Sequence, residues 1–220
     1  MHKNLRTRIN LERGLVDFFS QVIKGYLFIK NHPKVIYPLS LLIGLEVILN
    51  VILINIPAVT KDIFGSSFES AIVIIIFFAS LGALFGSFIF PRLLQQLRKK
   101  TLIEYSLLTL SLCLFSIVLW LGLFSTSARS WLMALIAFFS GLAFIGINIP
   151  AHTFIQEYTP KNMLGRIYGN LWFIVTIATI APLIFSASIT EFLGAKLLFL
   201  ILACLTLLPL LSLRLLPRSN

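Results

Sequence analysis

The sequence consists largely of apolar runs of about twenty residues separated by short polar stretches. At a rise of about 1.5 Å per residue, a helix of that length crosses roughly 30 Å of hydrocarbon. Hydrophobic residues make up 58% of the 220 residues and charged residues only 12%, well below the share of about a quarter that is usual in soluble domains. These runs predict an all-α polytopic membrane protein.

The runs divide the chain into a membrane domain with a short segment at each end. The membrane domain covers residues 35–216, preceded by residues 1–34 and followed by a tail at 217–220. Within it we predict six transmembrane helices: Val35–Val59, Phe68–Phe90, Leu102–Phe124, Trp131–Ile155, Ile167–Ile189 and Ala195–Leu216.

The basic residues are distributed very unevenly between the two sides of these spans. Of the 18 Lys and Arg residues, only Lys61, Arg129 and Lys196 fall on one side, and the other 15 fall on the opposite side. By the positive-inside rule the side with 15 faces the cytoplasm, together with both termini. Topology and anionic lipid therefore account for the net charge of +10 without nucleic acid. We expect a multi-pass protein of the plasma (bacterial inner) membrane.

The segment at residues 1–34 predicts an amphipathic helix before the first span, starting at Asn10 as its cap and ending before Pro33. Two placements stay open, one on the cytoplasmic leaflet and one against the loops of the membrane domain. The apolar positions recur every three or four residues at Leu11, Leu15, Phe19, Val22, Tyr26 and Ile29.

Glu46 is the one acidic residue deep in a predicted span. Burying a carboxylate in hydrocarbon costs several kcal/mol, which favours the neutral carboxyl group and makes this side chain able to take up and release a proton. Asn50 lies one turn further along and is placed to hydrogen-bond the carboxyl group. We take Glu46 and Asn50 as candidate proton-coupling or substrate-binding residues. The alternative is a protonated acid that simply bonds a neighbouring helix.

A polar stripe ends the fourth span, where Asn148, His152 and Gln156 follow one another at intervals of four residues. Imidazole changes its charge near neutral pH, so His152 suits a proton switch. Asn148 and His152 therefore join the candidate coupling or binding residues. An interfacial His without a coupling role is the alternative.

Small residues line the second span at two helical spacings. Gly82 and Gly86 form one row, and Ala79, Ala83 and Ser87 form the other. Small side chains let helix backbones approach closely in lipid, so this face predicts a tight helix contact. A functional conduit is the alternative.

Motifs for catalysis, metal binding or phosphate binding do not occur in the sequence. It has no paired acidic motif, no His pair at helical metal spacing, no Gly-rich phosphate loop and no Ser or Cys beside a base. Cys113 and Cys204 fall inside apolar runs and are interpreted as small core residues. We therefore expect no enzyme, no cofactor and no metal.

Two loop motifs together resemble those of a known family. The stretch LGALFGSFIFPRLLQQLRKK at 81–100 runs from the second span into a basic loop, and QEYTPKNMLGRIYGN at 156–170 follows the fourth span. The chain resembles the C-terminal six-helix half of a major facilitator superfamily transporter, in particular the branch of bacterial macrolide and siderophore exporters. The acidic residue usual in the first loop is missing here. The matching positions are Gly82, Gly86, Arg92, Arg98, Lys99 and Lys100 in the first motif, and Gln156, Thr159, Pro160, Gly165, Arg166 and Gly169 in the second.

The resemblance implies alternating access, in which two six-helix halves rock about a central site, usually driven by a proton gradient. It also implies efflux of small hydrophobic or amphipathic compounds. This chain supplies one half, so the expected partner is a second six-helix half, either a second copy or a separate N-terminal half. A truncated or split-gene product is consistent with this.

The polar stretch at 156–170 predicts a cytoplasmic latch between the fourth and fifth spans. Thr159 is the expected N-cap of the fifth helix, with Pro160 in its first turn. Gly165 is expected to divide a short surface turn from the spanning helix. The helix dipole disfavours Arg166 at that start, so we expect Glu157, or else anionic lipid, to compensate it. Glu157, Gly165 and Arg166, with Arg92 on the preceding basic loop, are the predicted gating residues.

Two other functions remain open at this point. One is a six-span permease subunit of another membrane assembly, such as an ATP-driven transporter. The other is a membrane remnant or regulatory protein that does not transport.

Overall fold

The computed structural model describes residues 25, 27–64, 68–120 and 126–215, and no strand occurs within them. A helical turn at 27–31 precedes the first long helix. The predicted all-α class is confirmed for this part of the chain. The long helices are α1 (Pro33–Phe64), α2 (Phe68–Gln96), α3 (Lys99–Trp120), α4 (Thr126–Tyr158), α5 (Leu164–Leu193) and α6 (Ala195–Leu215).

The helices α1 to α5 are each long and apolar enough to cross a membrane. This confirms five of the six predicted spans as membrane-compatible helices and supports a membrane location. The described apolar part of α6, Ala195–Leu210, is shorter. A sixth span therefore stays a prediction.

Side-chain contacts fix which helix ends lie together. Lys34 at the start of α1 and Lys99 at the start of α3 both contact the last turns of α4. Asn55 near the end of α1 instead bonds Ser186 near the end of α5. The helices thus alternate in direction. We call the end that holds the start of α1 the basic end, and the other the opposite end.

The six helices form one bundle with an uneven distribution of burial. The α4 helix packs on α2 and α3, α6 packs on α3 and α5, and α1 touches α2, α4, α5 and α6. The α1 helix lies between α2 and α5. Only 11% of the most apolar stretch of α2 and 22% of that of α5 is buried, against 39–50% for the other three spans. The α2 and α5 helices, which flank α1, are therefore the least covered, and we call the side of the bundle formed by α2, α1 and α5 the open face.

Glycines bring α2 and α4 into close contact, as the sequence predicted. A Cβ atom added at Gly82 would overlap the backbone carbonyl oxygen of Phe138, and one at Gly86 would lie 3.1 Å from the Cβ atom of Ile145. A Cβ at Gly141 of α4 would likewise overlap the α2 backbone. The two backbones touch over two helical turns, which a larger side chain would prevent.

The second row of small residues only partly belongs to this contact. The carbonyl group of Ala79 lies against α4, but Ser87 is exposed and its hydroxyl donates to the carbonyl of Leu84 at 2.7 Å. The prediction is therefore wrong for Ser87. A row at i, i+4, i+8 drifts around the helix, so its far end turns away from the neighbour that its start contacts.

The end of the N-terminal segment packs against the bundle. Gly25 is buried, and a Cβ there would overlap the side-chain amide of Asn170 and approach the carbonyl oxygen of Arg166 to 3.2 Å. The helical turn stops at His32, so the predicted boundary before Pro33 is confirmed. The rest of the predicted amphipathic helix, including its cap, lies outside the described residues.

The fifth helix begins later than predicted. Met163 occupies its N-cap without a side-chain hydrogen bond, and the helix starts at Leu164. The amide nitrogen of Met163 donates to the carbonyl of Pro160 at 2.9 Å, which closes a turn before the helix. The hydroxyl of Thr159 is buried and caps no amide. The predicted roles of Thr159 as cap and Gly165 as divider are therefore wrong, because the chain turns at 160–163.

The two cysteines have different environments. Cys113 is buried, as predicted, whereas Cys204 is exposed. The core prediction is wrong for Cys204 because it lies beside the exposed Leu205 on the outer side of α6. A uniformly apolar helix does not reveal which of its faces is covered.

Candidate functional site

Glu46 and Asn50 lie one turn apart on α1, and both are half-buried. The side-chain amide of Asn50 donates to the backbone carbonyl of Glu46 at 2.8 Å. The predicted bond from Asn50 to the carboxyl group is therefore not made. The amide prefers a carbonyl of its own helix four residues back, as Ser and Thr hydroxyls commonly do in apolar helices.

The surroundings of these two residues follow from the helical register of α1. Asn55 faces α5, and Leu49 and Leu53 line a cavity toward α2. Asn50 and the exposed Ile54, four residues further on, lie between those two directions. Glu46 and Asn50 thus belong to the open face formed by α2, α1 and α5.

This open face is apolar around its polar centre. Exposed apolar residues cover α2 and α5, which flank α1: Val73 and Phe77 are 67% and 60% exposed, and Ile177 and Ile184 are 55% and 65% exposed. Within the described residues the only ion pair joins Lys99 to Glu157, so no described cation neutralises Glu46. An ionisable group within a membrane span is by default a functional-site hypothesis.

A buried polar cluster joins α1 to α5 near the opposite end. The side-chain amide nitrogen of Asn55 donates to the hydroxyl of Ser186 at 2.9 Å, and its oxygen accepts from the hydroxyl of Thr190 at 2.9 Å. The same nitrogen also donates to the carbonyl of Val51 at 2.8 Å. All three polar residues of this Asn55 cluster are buried. The hydrogen bonds of this cluster hold α1 against α5. Hydrocarbon contains no water that could take the place of either partner.

The sequence offered little sign of the Asn55 cluster. The hydroxyls of Thr176, Thr179 and Ser186 donate to carbonyl groups of their own helix, as is common in membrane helices. Ser186 and Thr190 also bond Asn55 from more than 130 positions away. The one available signal was an Asn in an apolar helix, because such a residue needs a partner.

His152 contacts α5 near the basic end. Its Nδ1 atom lies 3.1 Å from the hydroxyl of Tyr168, and the two ring centroids are 5.4 Å apart. Asn148, one turn earlier, is half-buried like His152. Among the described residues, no hydrogen bond links either of them to Glu46 or Asn50. The four candidate residues therefore form two separate sites, one on α1 and one between α4 and α5.

At the basic end, Glu157 and Arg166 have other partners than those predicted, and their latch role stays a prediction. Glu157 at the end of α4 pairs with Lys99 at the start of α3. Arg166 instead donates to the sulfur atom of Met163 at 3.3 Å. The predicted pair of Glu157 with Arg166 is therefore wrong, because Glu157 reaches across to α3. Lys99 lies at the N-terminus of α3 and Glu157 near the C-terminus of α4, where the helix dipole is unfavourable for each charge. Their pairing offsets both unfavourable interactions.

Aromatic rings extend this contact to α1. The Lys99 ammonium lies 5.2 Å from the ring centroid of Phe154, and the Lys34 ammonium lies 5.2 Å from that of Tyr158. The Phe154 and Tyr158 rings stack on each other. Cations near aromatic rings at this distance are attracted by the ring quadrupole. The end of α4 thus holds the starts of α1 and α3 together.

The other two predicted gating residues are exposed. Gly165 has no atom within 4 Å of where a Cβ would lie. Arg92 projects from α2 one residue after Pro91, and α2 continues unbroken to Gln96. Neither residue closes a contact in this conformation, so a gating role for them stays a prediction.

Comparison with protein-family models, with curated proteins and with solved structures finds no match. The class that the fold supports is an all-helical protein with several membrane-compatible helices. The family resemblance stays a prediction from the two loop motifs.

Proposed function

We propose that this chain is one six-helix half of a secondary transporter that moves small hydrophobic or amphipathic compounds across the membrane. The observation that carries the proposal is the place of Glu46. It lies half-buried at membrane depth, without a described cation, on the open face of the bundle. Such a face is an incomplete site that a second half would close.

Helix pairing supports a transporter half. The six helices divide into two sets of three, α1 to α3 and α4 to α6. The first helix of each set contacts the second helix of the other set, since α1 packs on α5 and α4 packs on α2. The α1 and α4 helices contact each other, as do α3 and α6. Two three-helix repeats within a half would produce this exchange.

A second half would cover the open face with the same orientation in the membrane. Six spans return both termini to one side, so two copies related by an axis along the membrane normal need no inversion. In the proposal the basic end faces the cytoplasm of the plasma membrane, since it holds most of the described Lys and Arg residues. The partner is a second copy or a separate six-helix chain.

Glu46 supplies the proposed coupling chemistry. A carboxyl group is cheaper to hold in hydrocarbon when it is neutral, and the charged form is favoured when water or a cation reaches it. Opening the site to one side of the membrane and then to the other would load and release a proton. The Asn55 cluster and the His152–Tyr168 contact hold α5 to the other helices of this half near its two ends, so that the half can rock as one body.

Flux into proteoliposomes tests this function. The assay imposes a pH gradient and uses a fluorescent lipophilic dye as the probe. We expect Glu46→Gln to lower proton-driven flux by about tenfold or more, because glutamine cannot carry the coupled proton. The matched control is Glu191→Gln, because Glu191 is exposed at the opposite end of α5 and should leave flux within about twofold.

Three outcomes bear on the proposal. Equal flux in Glu46→Gln and wild type would remove Glu46 from the mechanism. Flux that needs ATP and a nucleotide-binding partner would favour a permease subunit. No flux in the wild type, alone or with a second half, would contradict a transporter and favour a non-transporting protein.

A further inference from the structure

A cavity of about 300 Å³ lies between α1, α2, α3 and α4. Packed interiors rarely leave a void much larger than a water molecule. An apolar cavity of about 150 Å³ in another protein binds benzene. By that comparison this cavity has room for roughly ten to twelve non-hydrogen atoms.

The cavity wall is apolar. Leucine, isoleucine and phenylalanine side chains make up most of it. The hydroxyl of Thr60 donates to the carbonyl of Ile56 at 2.9 Å, and that of Ser80 donates to the carbonyl of Ile76 at 2.8 Å. These hydroxyl protons are therefore already used. A ligand body that fits this wall makes no hydrogen bonds with them.

The cavity opens sideways between α1 and α2. Leu53 and Ile76 both line it and are each 50% exposed, whereas Leu114 and Met133 on its far side are almost fully buried. This opening lies at membrane depth, within the apolar stretches of both helices. In the proposed assembly this opening faces the site between the two halves, from which the apolar body of a ligand can enter the cavity.

A carboxyl group lies on the side of α1 that carries Leu53, outside the cavity wall. Glu46 precedes Leu49 by three residues and Leu53 by seven, so the three share one side of α1. Glu46 is half-buried, and no described cation pairs with it. A positive charge on the ligand would complement it where screening by water is weak.

We propose that this cavity binds the apolar body of an amphipathic amine, with the ammonium group beside Glu46 and Asn50. This rests on the proposed function, because it names the substrate class of the same open face. Lipid acyl chains could also fill an apolar cavity, but they bring no positive charge to Glu46.

A second cavity offers a matched control. It measures about 330 Å³, is lined by α1, α3, α4, α5 and α6, and shares Leu45, Ile48 and Leu110 with the first cavity. Ala178 lines the second cavity, and Ala83 lines the first. A Phe side chain at either position therefore makes the same chemical change, in the first cavity from α2 and in the second from α5.

Photolabelling of the full chain in proteoliposomes tests the site. The probes are decylamine and decanol carrying a photoreactive diazirine at the chain end, and labelled residues are mapped by mass spectrometry. We expect both probes to label α2 and α4 around Ala83, and unlabelled decylamine to displace the amine probe from the wild type. Ala83→Phe should lower labelling by about tenfold, while Ala178→Phe leaves it within about twofold. Glu46→Gln should lower labelling by the amine but not by the alcohol.

Each outcome decides the proposal. Labelling that unlabelled decylamine does not displace, or a photoreactive phospholipid that fills the cavity in its place, overturns it. An equal loss of labelling in Ala83→Phe and Ala178→Phe overturns it too. The displacement experiment uses wild-type protein and therefore does not depend on the folding of either variant. Labelling without flux would leave this site standing and contradict the proposed transport, while flux without labelling would do the reverse.

Discussion

Replacing Gly82 with alanine is expected to destabilise the protein by about 2 kcal/mol, near the middle of the range for overpacking. The added Cβ atom would overlap the carbonyl oxygen of Phe138, and that atom belongs to the α4 backbone, which cannot rotate away. The two helices would have to separate, with loss of packing along their whole contact. Thermal unfolding in detergent, followed by the loss of monodisperse protein, measures the change.

The matched control is the same substitution at Gly169. That glycine is also inside a helix, but no atom lies within 4 Å of its Cβ position. Alanine has the better helix propensity, so Gly169→Ala is expected to raise stability by about 0.5–1 kcal/mol. Opposite signs at the two positions are the expected result. A similar change at both would contradict the tight contact between α2 and α4.

Replacing Asn55 with leucine is expected to lower the free energy of unfolding by about 1–2 kcal/mol. The substitution keeps the number and branching of the side-chain heavy atoms but removes the bonds with Ser186 and Thr190. Both hydroxyls keep a carbonyl partner on α5, which limits the loss. Chemical unfolding in mixed micelles measures the difference.

Asn50→Leu serves as the comparison for Asn55→Leu. The amide of Asn50 bonds only the backbone of its own helix among the described contacts, and the residue is half-exposed. Its replacement should change stability by less than about 0.5 kcal/mol. An equal loss for both variants would mean that the bonds between α1 and α5 contribute nothing beyond a generic polar-to-apolar change.

Much of the helical fold could be predicted from sequence because the membrane imposes it. Apolar runs of spanning length place the helices α1 to α5, since hydrocarbon offers no other partner for the backbone. Gly82 and Gly86 correctly predicted a helix contact, because small residues in a membrane helix allow a neighbouring backbone to approach closely. The start of α5 was placed too early, because Pro160 fits a turn as well as a first helical residue.

The partners of individual polar residues could not be predicted in this way. Glu157 has Arg166 nearby in the sequence but Lys99 nearby in space. Likewise Asn55 meets Ser186 only because α1 and α5 pack side by side. Such pairs depend on how helices are arranged around the bundle, and hydropathy carries no record of that arrangement.

We propose that a second six-helix half covers the open face of the bundle, which is formed by α2, α1 and α5. Ile54 on α1 lies within this face and is 58% exposed, while Leu112 on α3 lies outside it and is 64% exposed. Equal exposure makes them a matched pair. In native membranes, each is replaced by cysteine in a Cys204→Ser background and coupled to a benzophenone crosslinker.

Crosslinking at these two positions tests the claim most directly. We predict that Ile54→Cys gives one discrete protein adduct, identified by mass spectrometry as a second copy of this chain or as another chain with six spans. Leu112→Cys should give only lipid adducts. Lipid adducts alone at both positions would contradict the claim, because the α2, α1 and α5 face would then be in contact with the bilayer.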